Sequence, residues 1–310
     1  MTTDPALVDV IIIGGGPAGI SALNWCRELN LDALLIEKDR LLGGQLLWTY
    51  NAIDNYPGIR AAHGREFCRK LLGSSNVTEC VITDVGIAGS DLASGSVILA
   101  DGGEFRGRFI IIATGVRRRK LHVPGEDALL GKGVLTSGSL SRDEVVGKTV
   151  AIIGGGDAAL ENALILAGSA RRVIIVHRRD KFSARKEFLD NACDNPGIAL
   201  LPWHRPVEIV GNDSVTGIRL IDLRTGDHKL INIDAVLIRI GVAPNTEAFR
   251  GQLDLDDNGY VITDRYLLTS RERVFAIGDV SNPAAPTISG AIGDGATAVK
   301  NIVRLKNAGC

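Results

Sequence analysis

Continuous aliphatic runs punctuate this chain, and two of them end in glycine clusters. Val10-Ile11-Ile12-Ile13 leads into Gly14-Gly15-Gly16-Pro17-Ala18-Gly19, and Val150-Ala151-Ile152-Ile153 leads into Gly154-Gly155-Gly156-Asp157-Ala158-Ala159. An apolar run without polar alternation predicts a strand buried on both faces, as in a parallel sheet. Small and apolar residues at helical spacing follow each glycine cluster. A second apolar run then closes each segment, Ala33-Leu34-Leu35-Ile36-Glu37 in one and Val173-Ile174-Ile175-Val176-His177 in the other. The chain therefore contains two βαβ units, an internal repeat of an α/β fold. Further strands are predicted at Ser96 to Leu99, Phe109 to Ile112, Val236 to Gly241 and Val274 to Asp279, with a last helix from Ala291 to Leu305. Arg117 to Leu121 reads as a hinge.

A length of 310 residues gives a prior of about two domains. Thirty-five basic against 36 acidic residues leave a formal charge of −1, so neither a nucleic acid nor a membrane surface is expected as the main partner. No signal peptide or membrane-spanning run is apparent. The five cysteines, at 26, 68, 80, 193 and 310, form no C-x-x-C and no metal spacing. They read as free thiols of a cytoplasmic protein.

The glycine clusters carry the chemistry. Gly14, Gly16 and Gly19 form G-x-G-x-x-G between a strand and a helix. That pattern permits a tight turn, close approach of a pyrophosphate and close helix packing, with the helix N-terminus facing the phosphates. Glu37 ends the second strand, where a carboxylate accepts hydrogen bonds from ribose hydroxyls and repels a 2′-phosphate. The second unit has Gly154, Gly156 and Ala159, and His177-Arg178-Arg179 replaces the acid. Guanidinium groups at that place suit a phosphate monoester, so this site reads as NADP(H). Arg185 is a candidate third cation. Two dinucleotide sites in one chain point to electron transfer between a bound flavin and a mobile nicotinamide.

With these landmarks, and with Gly43-Gly44-Gln45-Leu46, Asn55-Tyr56-Pro57-Gly58, Ala113-Thr114-Gly115, Pro124-Gly125-Glu126 and Gly278-Asp279 in order, the sequence resembles the low-molecular-weight thioredoxin reductase family over essentially its full length. The resemblance implies two Rossmann-like domains in a homodimer. An NADPH domain of residues 119–245 would be inserted in an FAD domain of residues 1–118 and 246–310. It further implies that Glu37 holds the FAD ribose, that Gln45 and Asn55 lie along the flavin, and that Gly44 belongs to the cofactor site. Thr114, Gly115, Gly278 and Asp279 would serve the same cofactor, with Ala291 at a helix start near the ring. Gly154, Gly156, Asp157, Ala158, His177, Arg178, Arg179 and Arg185 would serve NADPH.

One departure decides the expected activity. The family carries a redox C-x-x-C followed by Asp, and the corresponding residues here are Ser137, Leu140 and Ser141. Neither a hydroxyl nor an alkyl group accepts electrons. Buried packing is the expected role of Cys26, Cys68, Cys80 and Cys193, while Cys310 could reach a partner subunit from the chain end. Thioredoxin-reductase-like ferredoxin(flavodoxin)–NADP reductases also lack the dithiol. They place a tyrosine four residues after Gly-Gly-Gln-Leu, where Tyr50 stands as a candidate flavin stacker or a simple wall residue beside Trp48. The favoured expectation is an FAD enzyme passing electrons from NADPH to a ferredoxin- or flavodoxin-like carrier, which Arg117-Arg118-Arg119-Lys120 could steer. Three alternatives stay open: disulfide reduction through other cysteines or on a small disulfide, a diflavin protein, and a non-catalytic flavin-binding redox sensor.

Overall fold

The structure is a computed structural model that describes residues 6–73 and 80–309. Two compact units partition the chain, Met1–Arg117 with Ala243–Cys310, and Arg118–Val242. The chain crosses between them twice, and the crossing segments β9 (Val116–Arg118) and β18 (Val242–Pro244) pair as a short ladder.

In the first unit β1 (Ala6–Ile13) leads through a glycine turn to α1 (Pro17–Glu28) and back to β2 (Ala33–Ile36). A hairpin of β3 (Ile53–Tyr56) and β4 (Ile59–Ala61) precedes α2 (Gly64–Leu72), β5 (Val81–Ile82), β6 (Ile87–Asp91), β7 (Ser96–Leu99) and β8 (Glu104–Ile112). After the second unit the chain returns with β19 (Val274–Ala276) and α5 (Ile288–Asn307). The sheet order is β5-β2-β1-β8-β7-β6, with β19 on β8. β1 is parallel to both β2 and β8. Its residues Val10, Ile11 and Ile12 are 0% exposed, so apolar side chains fill both faces, as the unbroken aliphatic run requires.

The second unit repeats this plan. β11 (Thr149–Ile153), α3 (Asp157–Ala167) and β12 (Arg172–Val176) are followed by α4 (Lys186–Asp194) and β13 (Ile198–Leu201). With β10 (Val134–Leu135) and β17 (Ala235–Ile238) they form a parallel sheet of order β10-β17-β11-β12-β13. A three-stranded antiparallel sheet, β14 (His204–Gly211), β15 (Val215–Asp222) and β16 (His228–Asn232), precedes β17. In each unit the strand order reverses beside the first strand, between β1 and β8 and between β11 and β17. Ligands of doubly wound sheets bind outside the carboxyl ends of the strands at that switch point.

Two expected element limits differ for local reasons. The last helix begins at Ile288 rather than Ala291, because the Thr287 hydroxyl accepts the Gly290 N–H at 3.1 Å and caps it. The predicted strand Val236 to Gly241 stops at Ile238, and Gly241 turns with φ +90°. Among the described residues no helix is long and apolar enough to cross a membrane.

Helix α5 lies against α1 because Gly295 has no side chain. A Cβ there would come within 2.8 Å of the Ala22 nitrogen and of Ser21, whose hydroxyl donates to Ile292 O at 2.7 Å. A valine at this position gains roughly half a kcal/mol of helix propensity over glycine. Overpacking against α1 costs about 1–3 kcal/mol, so the clash wins. Gly295→Val should lower the melting temperature. Circular dichroism on heating measures it.

Candidate functional site

Each glycine turn is closed by backbone at one place and open at another. At Gly14, φ +110°, a Cβ would lie 2.4 Å from Ala113 O, and at Gly19 it would lie 1.9 Å from Gly14 O. At Gly16 nothing lies within 4 Å. The first and third glycines are thus demanded by packing, while the second leaves open space above the backbone. The second unit does likewise. A Cβ on Gly154, φ +150°, would meet Arg239 O at 2.1 Å, whereas at Gly156 the nearest atom is Ser183 Oγ at 3.6 Å. The variant third position tolerates a methyl group, and Ala159 is fully buried. Pro17, Ala18, Asp157 and Ala158 form the first turns of α1 and α3, whose N-caps, Gly16 and Gly156, have no side chain to cap the helix. Open backbone at helix N-termini fits a pyrophosphate in both units.

Around the first turn the carboxylate of Glu37 is buried. It accepts the Gly15 N–H at 2.6 Å and the Asp39 N–H at 2.9 Å, so two of its roughly four lone-pair positions are used. The Gly43-Gly44 turn lies on the glycine loop, with Gly43 N–H donating to Gly15 O at 2.8 Å. Gln45 follows and donates to Val116 O at 2.5 Å. Tyr50 is half-buried, whereas Asn55 and Trp48 are exposed. Thr114 and Gly115 are gripped by Asn245. The Thr114 hydroxyl donates to Asn245 O, and the Asn245 amide donates to Thr114 O, both at 2.7 Å. Sequence reasoning missed Asn245, although its place after Pro244 in a glycine-bounded loop was a turn signal.

Gly278, Asp279 and Ala291 come together where β19 meets α5; a Cβ on Gly278 would lie 3.5 Å from that of Ala291. The unforeseen member is Asp294, whose Oδ2 accepts the Gly278 N–H at 2.9 Å. Burial raises the pKa of Asp279, and the charge of Asp294 raises it further. Burial also raises that of Asp294, opposed by its bond from Gly278. No spacing pattern connects Asp279 with Asp294, so only folding could show their proximity.

In the second unit His177, Arg178 and Arg179 stand at the carboxyl end of β12. Both arginines are exposed. The His177 ring packs over Gly155, where a Cβ would come within 2.4 Å of the ring, and against Phe182. Burial lowers its pKa and the two arginine charges lower it further, so the imidazole is neutral at pH 7. Arg185 is held differently: its Nε pairs with Asp157 Oδ2 at 2.8 Å, and its guanidinium covers the Phe188 ring. The structure thus pairs Arg185 with Asp157, itself at the first turn of α3.

Ser137, Leu140 and Ser141 lie just after β10. Ser141 is buried, with its N–H bonded to Ser137 O, and Leu140 is 45% exposed. Of the cysteines, Cys26 and Cys68 are buried, and burial pushes the Cys26 thiol up to about 12. Cys80 is half-buried. Cys193 departs from the expected burial and is exposed, because on α4 it is the adjacent Ala192 that faces the core. Cys310 lies outside the described residues.

Two glycine turns at switch points, one beside a buried carboxylate and the other beside two exposed arginines, are the pattern of two Rossmann-like dinucleotide-binding units. A family model described as pyridine nucleotide-disulphide oxidoreductase matches residues 8–299, and the chain belongs to that family. A thioredoxin reductase of Listeria monocytogenes is 34% identical and one of Bacillus subtilis 33%; each alignment covers 97% of this chain, and 94% and 95% of those proteins. The solved thioredoxin reductase of Lactococcus lactis superposes with a TM-score of 0.81 at 31% identity, covering 96% of this chain and 98% of that one. That of T. acidophilum gives 0.79 at 26% identity, covering 97% and 99%. The chain is an FAD- and NADPH-dependent oxidoreductase of the thioredoxin reductase type.

The carboxyl pair gives a pH-dependent prediction. Asp279 and Asp294 both have raised folded pKa values, so their favourable contribution is complete below the unfolded carboxylate value of about 3.9 and is lost as pH rises through the folded values. Asp294→Asn keeps an acceptor for Gly278 and removes one charge. It should melt about 2 °C or more above the parent at pH 7, with the gap closing toward pH 4. Thermal melts across that range measure it.

Proposed function

We propose that this protein takes hydride from NADPH in the second unit to FAD in the first, and passes the electron pair to an acceptor outside the chain with no resident dithiol between them. When bound, the flavin supplies the two-electron chemistry. The protein's own residues bind and orient. Gly14, Gly16 and Gly19 admit the FAD pyrophosphate and Glu37 receives its ribose. Gly154 and Gly156 admit the nicotinamide dinucleotide, and Arg178 and Arg179 receive the 2′-phosphate. The observation that carries the reading is Ser137, Leu140 and Ser141, none of which can store electrons, at the positions of the family's redox motif.

The acceptor is the finer question. The names of the relatives favour a disulfide, which NADPH and a proton would reduce to two thiols, and a disulfide is the first acceptor to test. A ferredoxin- or flavodoxin-like carrier has less support than the sequence pattern suggested. Arg117 is ion-paired with Glu247, and Lys120 with Asp127 at 2.6 Å, so half of that basic run is neutralised locally. A homodimer is part of the same proposal.

Anaerobic dithionite titration tests the electron capacity. The flavin should bleach after one two-electron equivalent per FAD, before and after alkylation. An endpoint near two equivalents that alkylation reduces to one would reveal a hidden redox pair and overturn the reading. In the same alkylation, among the described cysteines, Cys193 should react first because it is exposed, and Cys26 last because burial raises its thiol pKa and the thiolate is the reactive form. Arg178→Ala combined with Arg179→Ala should raise the Michaelis constant for NADPH by roughly one to two decades per lost charged bond, leaving that for NADH nearly unchanged. Equal losses for both nucleotides would place the arginines in another role.

A further inference from the structure

The two sheets are stitched alike at their carboxyl ends. In the first unit Gly14 N–H donates to Ile36 O and Ala113 N–H to Ile13 O, both at 2.8 Å. In the second, Gly154 N–H donates to Val176 O at 3.0 Å and Arg239 N–H to Ile153 O at 2.7 Å. Ala113 and Arg239 are therefore equivalent positions, and in each case that residue's carbonyl closes the first glycine of the turn. The following residues match too, Ala113-Thr114-Gly115 against Arg239-Ile240-Gly241, with Gly115 at φ +60° and Gly241 at φ +90°. The fold is satisfied by alanine at this place. The guanidinium answers another demand.

Its surroundings say which. Arg239 is half-buried at the end of β17, at the switch point of its sheet. Its hydrogen bonds run to backbone carbonyls, Ile238 O at 2.8 Å and Thr136 O at 3.2 Å, and among the described residues it forms no ion pair. Arg118 donates to the same Thr136 O. Two cations thus converge on one neutral oxygen, immediately before Ser137. Burial and the Arg118 charge lower the Arg239 pKa to about 10, an unfavourable arrangement that a bound anion would relieve.

We propose that Arg239, assisted by Arg118, binds the nicotinamide-side phosphate of the dinucleotide. The adenine half belongs with His177–Arg179 at the end of β12, and β17 flanks β11 on the opposite side. A pyrophosphate on the Gly154–Gly156 turn would have its nicotinamide-side phosphate toward β17, beside the strand end that carries Arg239 and whose carbonyl meets Gly154. This deepens the reading of the second unit as the NADPH site and rests on it. It also separates two cationic sites with different duties, one selecting NADPH over NADH and one gripping what both nucleotides share.

Calorimetric titration of the FAD-loaded protein distinguishes them with three probes, NADP⁺, NAD⁺ and adenosine 2′,5′-bisphosphate, which lacks the nicotinamide-side phosphate. Arg239→Met should weaken NADP⁺ and NAD⁺ alike by about tenfold or more, the loss expected for one charge-assisted bond. Binding of the bisphosphate should stay within twofold. Arg239→Lys, which keeps a cation on the strand end, should fall between, and Arg118→Met should repeat the pattern from the linking ladder if Arg239→Met does not fold. Unchanged affinity for all three probes, an equal loss for all three, or a loss confined to NADP⁺ would each overturn the proposal while leaving the NADPH site intact. A parent protein that binds none of the probes would instead overturn the functional reading on which it rests.

Discussion

The whole arrangement depends on a backbone contact that no side chain can enter. Where the first strand of each unit turns into its helix, the neighbouring strand's carbonyl occupies the place of a Cβ, Ala113 O at Gly14 and Arg239 O at Gly154. Glycine's freedom at positive φ lets the chain reverse in that space. The reversal puts a helix N-terminus over the strand ends, with the second glycine left open. Remove the contact and the phosphate cradle loses its floor and its orientation together. The aliphatic runs of β1 and β11 serve this geometry by burying both faces of the sheet, so that polar function collects at the strand ends.

The two units use one scaffold for different tasks by changing what stands at equivalent strand ends. Glu37 ends β2 with a buried carboxylate tied to its own glycine loop, whereas His177, Arg178 and Arg179 end β12 with two exposed cations beside a neutral imidazole. A carboxylate repels a 2′-phosphate and guanidinium groups attract it, which is why the proposed cofactor assignment turns on these few side chains. The substitution of hydroxyls and leucine at 137, 140 and 141 acts on the same principle. Ser137 and Leu140, just after β10, carry no group that accepts electrons.

Much of the fold could be read from sequence because its signals are local. An unbroken aliphatic run, a glycine triplet and a terminal acid or base lie within one βαβ unit, and backbone sterics tie them to one geometry. The two repeats, their order and the contrast between Glu37 and Arg178 were all legible in this way. Helix α5 was legible except for its first turn, where the Thr287 cap sits outside the apolar pattern.

Contacts between distant segments were decided only by the tertiary structure. Asp294 meets Gly278 and raises Asp279 because α5 packs on α1 through Gly295. Asn245 grips Thr114 across 131 residues of sequence, and Arg185 pairs with Asp157. The basic hinge is partly neutralised by Glu247 and Asp127, and Cys193 faces outward although its composition class suggested burial. Sequence determined the two nucleotide cradles because backbone sterics and strand burial act over a few residues. Tertiary structure decided the charge partners because electrostatic pairing depends on distance in space, and no periodicity records it.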